Sequence, residues 1–110
     1  MKGDHLGELE ELVLLTVGSL YPEAYAPAIK KALAEKMERK VVLSSIHTVL
    51  NRLENKQFVK SAFGESTPER GGKRKRYFEI TPLGFKALEV LKSKRDLLWG
   101  NMIQLMPNLQ

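Results

Sequence analysis

The 110-residue chain has no cysteine and only two histidines, His5 and His47. It can form no disulfide, no thiolate metal site and no cysteine nucleophile, and an imidazole-rich metal site is not expected either. No cofactor is expected. Long apolar runs are also missing. The stretches around Leu12–Leu20 and Leu97–Met106 are broken by polar residues or glycine and fall short of the ~20 residues that a bilayer span needs. The opening Met1-Lys2-Gly3-Asp4-His5 carries no apolar core or small-residue cleavage site of a secretory signal, so a cytoplasmic protein without membrane contact is the expectation. Catalytic signatures are absent as well: there is no glycine-rich phosphate loop followed by Lys-Ser/Thr, no nucleophile elbow and no pair of carboxylates on an apolar face. No enzyme is expected. Glu8, Glu10 and Glu11 open a helix, where acidic side chains complement the dipole, and this alone accounts for them.

What is present is a globular composition, 43% hydrophobic and 28% charged, which suits one folded domain rather than a disordered tail. Eighteen Lys and Arg against thirteen Asp and Glu leave a net charge of +5, which favours a polyanionic partner. The excess is clustered. Arg70, Lys73, Arg74, Lys75 and Arg76 lie close together, interrupted only by Gly71 and Gly72.

Hydrophobic spacing organises the rest. Leu9, Leu12, Val13, Thr16, Val17 and Leu20 recur every three or four residues and predict a first helix over 8–20. A second follows with Pro27 in its first turn, a stripe of Ala28, Ile29, Ala32, Leu33 and Met37, and an end near Glu38. Val41-Val42-Leu43 is a short β-branched run that predicts a strand, and Ser44 or Ser45 then serves as N-cap of a third helix. Ile46, Val49, Leu50 and Leu53 form its core face. That leaves Ser44, Ser45, His47, Thr48, Asn51 and Arg52 on a polar face rich in donors and acceptors, able to meet phosphates and base edges in a major groove.

After Lys56 the pattern turns extended. Residues 58–63 and 76–80 read as strands flanking a loop of turn residues, a hairpin with a basic tip. Lys73, Arg74, Lys75 and Arg76 are its candidate phosphate contacts, with Arg74 and Arg76 on one face and Lys75 on the other. Thr81-Pro82 opens a last helix, by N-cap and first-turn proline, that runs to about Met106, where Pro107 stops it. Leu88, Leu91, Arg95, Leu98, Met102 and Leu105 follow alternating spacings of three and four, a coiled-coil seam with one charged interruption. This seam either pairs with a second copy or folds back on the first helix.

The order of elements predicts an α+β, mostly helical fold: a winged helix-turn-helix domain over residues 1–80, followed by a C-terminal dimerisation helix over 81–110. In four places, and in the right order from Leu6 to about Leu91, the chain also resembles the PadR family of transcriptional regulators. These are Gly7-Glu8-Leu9-Glu10-Glu11-Leu12-Val13-Leu14-Leu15, Ser45-Ile46-His47-Thr48-Val49-Leu50-Asn51-Arg52-Leu53-Glu54, Gly71-Gly72-Lys73-Arg74-Lys75-Arg76-Tyr77-Phe78 and Ile80-Thr81-Pro82-Leu83-Gly84. Three departures stand out. Ala24-Tyr25 replaces the usual Gly-Tyr, His47 stands where relatives have Tyr, and Lys56-Gln57-Phe58 lacks the usual glycine after the third helix, so a different helix exit is expected.

The resemblance implies a short family form in which the single C-terminal helix dimerises, here through Leu88, Leu91, Leu98, Met102 and Leu105. Some PadR-like repressors accept aromatic drugs against a tryptophan on this helix, which makes Trp99 a candidate effector contact. Trp99 lies about a turn further from Gly84 than in that pattern, and its other reading is that it closes the dimer interface with Met102, Ile103 and Met106. The function expected is a homodimeric, sequence-specific regulator of transcription that binds double-stranded DNA and acts as a repressor relieved by a small hydrophobic or aromatic effector. The alternative is a protein-protein interaction module whose basic hairpin docks an acidic partner.

Overall fold

Three helices, α1 (Glu8–Ser19), α2 (Ala26–Met37) and α3 (Leu43–Asn55), precede a hairpin of β1 (Val59–Phe63) and β2 (Arg76–Ile80) and a long α4 (Pro82–Ile103). They are seen in a computed structural model that describes residues 5–64 and 74–109. The arrangement is a winged helix, mostly helical. Val13, Leu14 and Val17 of α1, Ile29 and Leu33 of α2, and Ile46, Leu50 and Leu53 of α3 meet in one core, which Phe58, Val59 and Phe78 of the hairpin close from below. The predicted stripe of α3 is buried entirely. On α1 the stripe is shifted: Leu14 is buried, while Leu9, Leu12 and Leu20 form a half-buried rim. Met37, expected inside, is exposed, because it is the last residue of α2 and the helix leaves the core there.

The strand predicted at Val41-Val42-Leu43 does not form. The backbone at Val42 is extended (φ −69°, ψ 150°), but a strand needs a hydrogen-bonded partner, and the two-stranded sheet of the described residues contains only β1 and β2. The hairpin's additional backbone partner comes instead from before α2, where the Phe78 N–H donates to the Ala24 carbonyl at 2.8 Å. The serines do not cap α3 either. The helix begins at Leu43 with Val42 as N-cap, so Ser44 and Ser45 already lie in its first turn.

Two left-handed residues close α2 and α3. Glu38 (φ 52°) closes α2 and Gln57 (φ 66°) closes α3. At the second, the Gln57 N–H donates to Glu54 O and the Phe58 N–H to Leu53 O, both at 2.9 Å, the paired bonds of a Schellman ending. The glycine missing from the sequence is therefore not replaced by a different exit: Gln57 adopts the conformation that glycine would take.

Thr81 caps α4 as expected, its hydroxyl accepting from the Gly84 N–H at 3.0 Å while donating to Gln57 O at 2.7 Å. A Cβ on Gly84 would overlap the Phe58 carbonyl oxygen, so only glycine lets α4 sit this close to the start of β1. The helix ends at Ile103, short of Met106, because the Pro107 ring clashes with a helical carbonyl four residues earlier, which is Ile103 itself. Leu88 and Leu91 are half-buried near the body, whereas the distal part of α4 projects away from it and draws the molecule out to 62 × 31 × 21 Å. No helix among the described residues is long and apolar enough to cross a membrane.

Candidate nucleic-acid interface

Burial of Ile46, Val49, Leu50 and Leu53 turns the opposite face of α3 outward. Ser44, His47, Thr48, Asn51 and Arg52 are exposed and Ser45 is half-buried. The Thr48 hydroxyl is already committed, donating to Ser44 O at 3.0 Å within the helix. The five others offer a guanidinium, an imidazole, an amide and two hydroxyls along a helix whose N-terminus carries no side-chain cap.

The hairpin is antiparallel with Val59 opposite Ile80 and Phe63 opposite Arg76, and the Gly64 N–H extends the ladder by donating to Lys75 O at 2.8 Å. Its cations divide as alternation predicts. Arg74 and Arg76 both lie over the Phe63 ring, at 5.0 and 5.9 Å, while Lys75 turns to the Tyr25 ring at 4.5 Å. Tyr25 in turn meets Tyr77 edge-on at 5.7 Å. Among the described residues no carboxylate pairs with Arg74 or Lys75, whereas Arg76 is bonded to Glu54 and Ser61. Lys73 lies outside the described residues.

These parts border one open groove of about 740 Å³, in which His47 and Leu43 of α3 face Arg74, Lys75 and Arg76 across the start of α2 at Tyr25 and Pro27. Two surfaces far apart in sequence are thus brought within reach of a single polyanion. Sequence reasoning missed Tyr25, Phe63, Glu54 and Ser61. Phe63 carried the one available signal, an aromatic residue at an exposed strand end beside a basic loop.

Behind the interface, the acidic start of α1 does more than offset a dipole. Glu8 pairs with Arg39 at 3.0 Å, Glu11 with Arg95 at 2.8 Å, and buried Glu10 with Lys56 at 3.0 Å. Burial pushes the Glu10 carboxyl up. The Gly7 N–H and the Lys56 ammonium, with Arg52 beyond, outweigh that and hold it below its ordinary value of 4.5. Lys56 also donates to His5 O at 2.6 Å, so it ties the start of α1 and the segment before it to the end of α3 and is not part of the exposed basic surface.

The projecting part of α4 carries the other candidate residues. Leu98 is 68% exposed, and Met102, Leu105 and Trp99 also lie open to solvent. Arg95, the charged interruption of the seam, is answered within its own chain by Glu11.

Solved structures share this architecture. A PadR family regulator from Clostridium difficile superimposes with a TM-score of 0.72 at 23% identity, covering 91% of this chain and 99% of that one. A PadR-like regulator from Bacillus cereus gives 0.70 at 21%, covering 89% and 90%, and a PadR family regulator from Eggerthella lenta gives 0.68 at 24%, covering 90% and 86%. No curated protein matches the sequence. Residues 13–90 match the family described as Transcriptional regulator PadR-like family, a span that runs from within α1 through α2, α3 and the hairpin into the start of α4. The chain belongs to the PadR-like family of transcriptional regulators and is, like that family, a regulator of transcription rather than an enzyme.

Proposed function

We propose that the chain is a sequence-specific repressor that binds operator DNA as a homodimer. Residues 1–80 form the DNA-binding head and 81–110 the dimerisation element. In this reading α3 enters the major groove with Ser44, Ser45, His47, Thr48, Asn51 and Arg52, while Lys73, Arg74 and Lys75 of the wing meet phosphates. The observation that carries it is the groove in which His47 and the wing cations face each other without intervening carboxylates of the described residues. Dimerisation through Leu88, Leu91, Leu98, Met102 and Leu105 accounts for the apolar distal α4, which a monomer leaves in water. Repression follows from occupying promoter DNA, and a small aromatic effector meeting Trp99 between the subunits relieves it.

The test is selection of bound genomic fragments, followed by titration on the selected site and on random duplex. A pseudo-palindromic site is expected, with Asn51→Ala or Arg52→Ala losing about 1–3 kcal/mol on that site and much less on random DNA. Equal losses on both would make these residues phosphate anchors and remove them from base reading.

A further inference from the structure

Arg76 is the wing cation that the DNA-binding reading does not absorb. It is exposed, yet two of its five N–H donors are engaged within the molecule: one terminal nitrogen donates to Glu54 Oε1 at 2.6 Å and Nε donates to Ser61 Oγ at 3.0 Å. The Ser61 hydroxyl donates onward to Glu54 Oε2 at 2.7 Å, so both carboxylate oxygens are occupied and the three side chains close a ring of hydrogen bonds. The guanidinium also lies over Phe78 at 5.2 Å and Phe63 at 5.9 Å. Glu54 belongs to the last turn of α3, Ser61 to β1 and Arg76 to β2, so the ring joins the reading helix to both strands of the wing.

We propose that Glu54, Ser61 and Arg76 form a clamp that fixes the wing's position relative to α3, with Arg76 a positioning residue and not a phosphate ligand. This rests on the DNA-binding reading above. A charge-assisted, two-point contact of a guanidinium is directional as well as strong, which is what holding a two-stranded hairpin against a helix requires. Among the described residues the ribbon has two strands only, and a two-stranded ribbon has little stiffness of its own. The clamp also neutralises Glu54, whose carboxylate at the end of a DNA-reading helix would otherwise repel the backbone. Arg74, on the same face of the ribbon and beyond the clamp, is left to meet DNA.

The experiment exchanges the two charges in the full chain, Glu54→Arg with Arg76→Glu, and compares it with Arg76→Glu alone by anisotropy on a generic duplex across a salt series. The clamp predicts that Arg76→Glu loses at least about tenfold in affinity. It predicts that the exchanged pair recovers to within about threefold of the parent with the parent's salt slope. If Arg76 neutralises a phosphate, the exchange puts a carboxylate against it. Affinity then stays low and the slope flattens by about 0.9, which overturns the clamp. Ser61→Ala removes a hydroxyl and no charge, and serves if the exchanged chain does not fold. An affinity loss of about threefold or more at unchanged slope supports the clamp, and parental affinity overturns it. A parent chain that shows no steep salt-dependent binding overturns the DNA-binding reading and the clamp together, whereas a parent that binds while the exchange fails overturns the clamp alone.

Discussion

Leu98→Glu separates the proposed dimer from the folded chain, because the two respond to it on different scales. In the single chain Leu98 is 68% exposed, and a polar replacement at so open a site changes stability by about 0.5 kcal/mol or less. In a symmetric seam the same change occurs twice. Each copy loses the burial of a leucine, about 1.5 kcal/mol or more, and places a carboxylate against apolar neighbours at a further ~1–3 kcal/mol. The sum is about 5 kcal/mol or more, which weakens dimerisation by at least ~10³-fold. DNA binding is expected to fall with it, since one reading helix reaches one half-site and two must lie ~34–36 Å apart to enter successive major grooves. Sedimentation equilibrium and titration on a two-half-site duplex, made on one sample, read both effects, with circular dichroism to show an unchanged fold. A variant that remains dimeric at micromolar concentration would refute the seam. A folded monomer that binds the duplex as tightly as the parent would refute the coupling.

Three further outcomes follow from the head itself. Gly84→Ala drives a Cβ into the Phe58 carbonyl and threatens the adjoining bond from the Thr81 N–H to that oxygen, so a loss of about 2–4 kcal/mol is expected in urea unfolding; parental stability would mean that the contact is loose. Gln57→Gly relieves a left-handed conformation that costs a side-chain-bearing residue about 1–2 kcal/mol, less the entropy glycine adds to the unfolded chain, for a net gain of about 0.5–1 kcal/mol. A lower melting temperature would refute this. The Glu10 carboxyl titrates lower in the folded chain than its ordinary 4.5, so its contribution is complete above that pH and is lost as pH falls through the lower, folded value. Glu10→Gln is therefore expected to be less stable than the parent at pH 7, by about 2 kcal/mol, and to show a smaller gap in acid; a gap that is constant with pH would refute the assignment.

Periodicity made the helices legible because each stripe answers to the same local geometry that winds the chain. Ile46, Val49, Leu50 and Leu53 are buried as read, and Thr81-Pro82 starts α4 as read. The misreadings share a cause. Val41-Val42-Leu43 has the composition of a strand, but a strand is defined by its partner, and no periodicity shows which segment β2 bonds to. Glu10 looked like one more acid at a helix start because Lys56 lies 46 residues away, and Arg76 looked like its neighbours because Glu54 lies 22 residues back. For the wing, composition marked which residues carry charge, and only the tertiary contacts show that, among the described wing cations, Arg76 is the one paired with a carboxylate while Arg74 and Lys75 rest on aromatic rings.

The close seat of Gly84 on Phe58 ties the first turn of α4 directly to the head. In the proposed dimer each head is then expected to move with the start of its helix, so that a change in helix crossing angle displaces it. Over the 22 residues of α4, ~33 Å at about 1.5 Å per residue, a tilt of ~6° carries the far end ~3.4 Å, the rise of one base pair. The joint thus makes the dimer a ruler graduated in single base pairs, and operators whose half-sites are moved by one step should be told apart by spacing alone.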